Sequence, residues 1–198
     1  MKLNKLQIKE LTRLIEFYAK KDGFCTKNNS IFCFVHEYFA CCDFLVVNAT
    51  KIVYRISVKK SCYDDIFWNI MNIKGKKTDS LRACGAFKAP SLLLKKGEIE
   101  IGDDYIDVSL FLIHIINDTI EKFISEDYFL EYVFGDNIVN DKNILQCLEY
   151  LSQSNIQEAK LIAQKQLDLG DIGKFSNEGK GFFEWILYHT GDGGMYEL

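Results

Sequence analysis

A single proline stands in this chain of 198 residues, with only three histidines and three arginines. No stretch is rich in proline and glycine, while 48% of the residues are hydrophobic, 14% aromatic and 26% charged. These figures exclude a disordered tail, a collagen-like repeat and a low-complexity linker, none of which carries enough apolar surface to close a core. Long hydrophobic runs are missing too. The longest, Val108 to Ile116, is broken by Ser109 and His114, far short of the ~20 apolar residues that a membrane-spanning helix requires. The opening MKLNKLQIKELTRLIEFYAKK intersperses charge throughout, unlike a secretory leader. The seven cysteines are therefore expected to be reduced thiols in a soluble cytoplasmic protein with no membrane partner. In that compartment the Asn48-Ala49-Thr50 sequon is inert.

The net charge of −4 conceals a segregation along the chain. Up to Lys96 there are 18 Lys and Arg against 8 Asp and Glu, and from Gly97 onward 6 against 20. The balances, +10 and −14, suit either two halves that attract each other in one body or an interaction surface.

Hydrophobic spacing gives the elements. Residues 3–20 carry Ile8, Leu11, Ile15 and Tyr18 at steps of three and four, an amphipathic helix that stops at Lys20, Lys21 and Gly23. Asn28-Asn29-Ser30 is a turn. Strands are expected near 31–38, 41–48 and 52–59, with a hairpin turn from Asn48 to Lys51. In 52–59, Ile52, Tyr54, Ile56 and Val58 alternate with Val53, Arg55, Ser57 and Lys59, the signature of one buried face. A short helix is expected over 62–73 with Ser61 as its cap. Two further strands follow at about 81–87 and 91–101, the second carrying a possible turn at Lys95-Lys96-Gly97, with Pro90 at an edge or in the connection.

From Asp103 the pattern is helical. It predicts a long helix over 104–124, a shorter one from Ser125 through Val133, and a loop at 135–141. Helices at 142–152 and from Asn155 then form a possible hairpin over 142–168, Asn155 and Glu158 making a capping box. A glycine-rich loop at 170–181 and a last helix at 182–189 precede a fraying GDGG segment. The order helix, strands, helices predicts an α+β fold, with an antiparallel sheet of about five strands packed against helices and a C-terminal helical extension. The expected domains are 1–135 and 136–198.

Several stretches carry a family likeness: Lys21-Asp22-Gly23-Phe24 after the leading helix, the aromatic-rich strands, then Ile120-Glu121-Lys122-Phe123-Ile124 followed by Ser125-Glu126-Asp127-Tyr128-Phe129-Leu130-Glu131-Tyr132. Over about residues 4–134 the chain resembles the uncharacterised bacterial family known as domain of unknown function 4304. The resemblance implies a helix, a curved antiparallel sheet and a terminal short acidic helix, and no transferable activity. By analogy, domains of this kind sit in toxin and immunity neighbourhoods. The helical extension after Gly135 and the section 61–101 depart from the family pattern.

Chemistry-bearing motifs are few. There is no C-x-x-C, His36, His114 and His189 are dispersed, and Cys41-Cys42 in a strand point to opposite faces. No metal or cofactor is expected. Gly170-Asp171-Ile172-Gly173-Lys174 is not a phosphate loop, because Asp168 stands where the first glycine belongs and Phe175 replaces the Ser or Thr. A cysteine hydrolase would need Cys33, Cys41 or Cys42 beside His36 or His114, yet His114 in its apolar run reads as a core histidine. The pairs Asp64-Asp65, Asp103-Asp104 and Glu126-Asp127 fall at predicted helix starts, where capping and the dipole account for them.

Two surfaces remain. Lys59-Lys60, Lys74, Lys76-Lys77, Lys88 and Lys95-Lys96 could rim a nucleic-acid site, although arginine is scarce and no recognition motif occurs. Asp103, Asp104, Asp107, Glu126, Asp127 and Glu131 could hold a basic protein such as a nuclease toxin; the plain alternative is a solvated face. The sequence thus points to a non-enzymatic bacterial protein, an interaction or immunity-like module that binds through its acidic part, with the hydrolase and the nucleic-acid binder as alternatives.

Overall fold

The computed structural model describes residues 2–126, 128–135 and 141–190. Asp127, residues 136–140 of the expected 135–141 loop and the GDGG segment lie outside them. In chain order the elements are α1 (Lys5–Lys21), β1 (Cys25–Lys27), β2 (Ser30–Val35), β3 (Tyr38–Val47), β4 (Lys51–Lys60), α2 (Cys62–Ile70), α3 (Asp79–Cys84), β5 (Leu92–Glu100), α4 (Tyr105–Glu126), α5 (Phe129–Phe134), α6 (Lys142–Ser152), α7 (Ile156–Asp168), β6 (Ser176–Asn177), β7 (Lys180–Gly181) and α8 (Phe182–Thr190). The fold is α+β. It divides into two compact units, Met1–Lys59 with Leu92–Tyr128, and Lys60–Ser91 with Phe129–Leu198.

In the first unit, α1 begins at Asn4, whose side chain accepts from the Leu6 and Gln7 amides while Gln7 accepts from the Asn4 amide. Three otherwise orphaned donors are satisfied, the Asn4 and Gln7 amides reciprocally. The helix ends as its cations and glycine predict: Gly23 takes φ +89° and the Phe24 amide returns to the Ala19 carbonyl. Strands β1 to β5 then form an antiparallel sheet in sequence order. Asn28 and Asn29, at φ 49° and 59°, make the first turn. The hairpin turn expected from Asn48 to Lys51 joins β3 to β4, with Asn48 and Ala49 at φ 54° and 59°, whereas the strand expected near 31–38 is cut short. His36 adopts φ 52° and Val35 pairs with Tyr38, so β2 ends three residues early.

The alternation in β4 holds: Ile52, Tyr54, Ile56 and Val58 are all buried. With Ile31, Cys42, Phe44 and Ile99, most of that face joins Leu11, Ile15 and Ala19 of α1 and Leu112, Ile116 and Ile120 of α4 in one core. At roughly 1.5–3 kcal/mol for each large apolar side chain, this burial dominates the unit's stability. Gly97 is not in a turn. It sits inside β5 opposite Tyr54, and a Cβ there would stand 2.5 Å from the tyrosine Oη. The strand runs on because the Tyr54 side chain occupies the space a Gly97 side chain would need.

In the second unit, the strand expected at 81–87 is instead helical, as α3. Its arginine explains why. Arg82 donates to the Ser61 carbonyl (2.7 Å), to both Asp65 oxygens (3.0 Å each) and to Asp79 (3.3 Å), and it stacks on Trp68. A helical turn brings Asp79 and Arg82 together; a strand would separate them. Ser61 makes no side-chain cap bond. Asp64 and Asp65 stand in the first turn of α2 as expected, and buried Asp64 also accepts from the Ala89 amide at 2.8 Å, which fixes the 85–91 connection. Helices α6 and α7 pack together as the expected hairpin, with Asn155 accepting from the Glu158 amide. The loop before α8 contains the short β6–β7 hairpin.

Candidate functional site

Because the sheet order ends at β5, one long edge of that strand has no neighbouring strand among the described residues. The Ile101 amide donates to the Thr50 carbonyl at 2.8 Å, and Ile52 pairs with Ile99 and Tyr54 with Gly97. Antiparallel geometry alternates these hydrogen-bonded pairs with non-bonded ones. The N–H and C=O groups of Ile99 and Gly97 therefore turn toward β4, and those of Lys96, Glu98 and Glu100 turn outward.

Beside this edge a groove of about 850 Å³ opens between β5 and the first half of α4. One wall is apolar: Val108, Leu110 and Phe111, the last two 44% and 54% exposed. The other lining groups are mostly acidic, namely Glu98, Glu100, Asp104 and Asp107, with His114 at the far end. Asp104 also accepts from the Ile106 and Asp107 amides at 2.8 and 3.2 Å, which starts α4. Glu98, Glu100 and Asp107 are exposed; Lys51 of β4 pairs with Glu98 and lies opposite Glu100, partly offsetting the charge at this end of the groove.

Of the acidic residues singled out from the sequence, the structure gathers Asp104 and Asp107 in the groove and leaves Asp103, exposed, next to it. It does not bring all six together. Glu126 closes α4, about 28 Å from Asp107 at the helical rise, and its nearest cation is Lys122 at 3.8 Å. It ends a helix and does not begin one. Glu131 lies in α5, in the other unit; Asp127 is outside the described residues. Sequence reasoning missed Glu98 and Glu100. Their signal was the alternation Glu98-Ile99-Glu100, a half-buried strand with acid on its solvent face.

The linear charge split does not carry into the fold. The first unit draws 13 Lys and Arg against 14 Asp and Glu from both halves, the second 11 against 14. The acidity of the groove is local. Four of the eight lysines singled out for a rim have partners within the protein: buried Lys59 lies over the Phe39 ring, Lys60 pairs with Glu149 at 2.8 Å, Lys77 donates to Asn69 and Lys88 to the Ala83 carbonyl, while Lys74, Lys76, Lys95 and Lys96 are exposed.

His114 is a surface residue, not a core one. Its Nε2 lies 3.1 Å from Asp118 on the next turn. His36 is exposed at its turn, and His189 bonds the Ile70 carbonyl. Burial pushes the Cys33 thiol up to about 11 and Cys147 to about 12, and raises Cys42 well above its ordinary value. Cys42, Cys84 and Cys147 donate to backbone carbonyls. Thiols held protonated in this way are poor nucleophiles.

No group of three or more His, Cys, Asp or Glu that could hold a metal ion occurs among the described residues, and no helix there is long and apolar enough to cross a membrane. No protein-family model matches the chain, and no curated protein or solved structure matches it either.

Proposed function

We propose that this protein is a non-enzymatic protein-binding module that takes a basic partner in the groove between β5 and α4. One observation carries the reading: four carboxylates, Glu98, Glu100, Asp104 and Asp107, surround an exposed apolar wall at an open strand edge. The apolar wall gives a partner surface to bury, and the carboxylates steer cationic side chains toward it while disfavouring anionic competitors. The same field repels nucleic-acid phosphates, and the burial that keeps Cys33 and Cys42 protonated favours this reading over a hydrolase built on those two thiols. The immunity-like and bacterial form of the proposal rests on the family resemblance of residues 4–134 alone; it would make the partner a basic toxin.

The test is titration of the whole protein with a lysine-rich peptide, a glutamate-rich peptide and duplex DNA at low and high salt. The lysine-rich peptide should bind, lose affinity steeply with salt, and bind at least about tenfold more weakly to a Glu100→Lys/Asp107→Lys variant. Binding of DNA instead, or equal affinity of the variant, would overturn the proposal.

A further inference from the structure

The groove has a feature that charge alone does not use: the outward row of backbone donors and acceptors at Lys96, Glu98 and Glu100. Resting on the function proposed above, we propose that the partner enters as an extended segment that adds a sixth strand antiparallel to β5, with cations and apolar residues alternating along it.

The alternation follows from the register. Side chains directly opposite each other in an antiparallel pair lie on the same face of the sheet. Ile99 points into the core, so Lys96, Glu98 and Glu100 point to the opposite, solvent face. Partner residues facing Glu98 and Glu100 therefore meet carboxylates and are best cationic. The residues between them point to the α4 side, where Val108, Leu110 and Phe111 offer apolar contact. Asp104 and Asp107, at the start of α4, suit a further cation on the segment. Main-chain hydrogen bonds would hold the strand, and the two side-chain rows would select it.

The charges choose between occupants of this edge. A second copy of β5 centred on Glu98 would set Glu98 against Glu98; one centred on Gly97 would pair Glu98 with Lys96, but either brings a second set of carboxylates to a groove that already holds four. A basic strand answers the same groups. Free strand edges that carry charged side chains resist self-pairing, and here that resistance leaves the edge open to a partner of opposite sign.

The experiment uses the full chain and three short peptides of one composition. One alternates lysine and valine; one has its lysines and valines in separate blocks; one alternates but is N-methylated on its lysine amides, which face β5 in this register. A control is N-methylated on the valine amides, which face away. Affinity is read by fluorescence anisotropy, and protection of the Lys96, Glu98 and Glu100 amides by hydrogen exchange. The alternating peptide and the valine-methylated control should bind at least about tenfold more tightly than the block peptide. Methylation at lysine should abolish that advantage, and the three amides should gain protection.

Equal binding of all four peptides without new protection, still lost in Glu100→Lys/Asp107→Lys, would overturn the added strand and leave the basic-partner reading standing. No binding of any peptide would overturn both. Amides already protected without peptide, together with a doubled mass that falls to one chain on dilution, would assign the edge to a second copy.

Discussion

The fully buried carboxylates among the described residues lie in the second unit, and those that line the open groove lie in the first. In the second, Glu149 is fully buried and accepts from Lys60 (2.8 Å), Tyr63 (2.6 Å) and Gln153 (2.7 Å), while buried Asp64 faces Arg82 at 3.7 Å and bonds the Ala89 amide. In the first, Glu100 and Asp107 stand exposed along an open strand edge. A buried carboxylate is tolerated only where cations and donors surround it, so it holds structure and is not available to a partner. An exposed one adds little stability and is free to steer binding. Acid content by itself therefore says nothing about function; its burial does.

The comparison can be broken most directly at Glu149. Replacing Glu149 by Ala leaves Lys60 without its buried partner and should cost about 3–5 kcal/mol in urea denaturation; a loss under about 1 kcal/mol would show that the network is not structural. Next comes Arg82, which ties Ser61, Asp65 and Asp79 and stacks on Trp68. Arg82→Ala should cost about 2–3 kcal/mol, and Arg82→Lys should recover little, because an ammonium cannot reproduce the bidentate fork. Neither variant, where it folds, should change peptide affinity at the groove.

In the first unit, Gly97→Ala should cost about 1–3 kcal/mol through overlap with Tyr54, and less in a Tyr54→Leu background. A gradual pH effect should come from Cys147. Its thiol is raised from 9.0 to about 12 by burial, so the unfolded chain releases this proton first. Stability should hold below pH 9 and fall as pH rises from 9 toward 12. Cys147→Ala should flatten that slope in the urea midpoint. Smallest is the expected stability change of Glu100→Lys/Asp107→Lys, under about 1 kcal/mol, since both residues are exposed and what is lost is a helix-dipole contribution at Asp107 and a solvent-screened attraction between Glu100 and Lys51. A larger loss would mean that these carboxylates are structural after all.

Local patterns made much of this fold legible. The period of α1, the alternation in β4, the Asn28-Asn29 turn and the hairpin of α6 and α7 each depend on neighbours in sequence, and each is where spacing and turn chemistry put it. What stayed hidden depends on distant partners. α3 is a helix because Arg82 reaches Ser61 and Asp65, and Gly97 continues a strand because Tyr54 lies opposite. Residues 60–91 belong with the C-terminal helices by contacts that no local pattern announces.

The site was half legible. Asp104 and Asp107 stood out as acid at a helix start, but Glu98 and Glu100 join them only because β5 is the last strand of the sheet. The charge split at residue 96 pointed to segregated halves, yet each unit mixes segments from both.

The most direct measurement is a nuclear magnetic resonance map of where a lysine-rich peptide touches the labelled protein. Shifts concentrated on the amides from Lys96 to His114, saturating together, are the result this account predicts. Shifts centred on the second unit, or scattered over the surface without saturation, would contradict it.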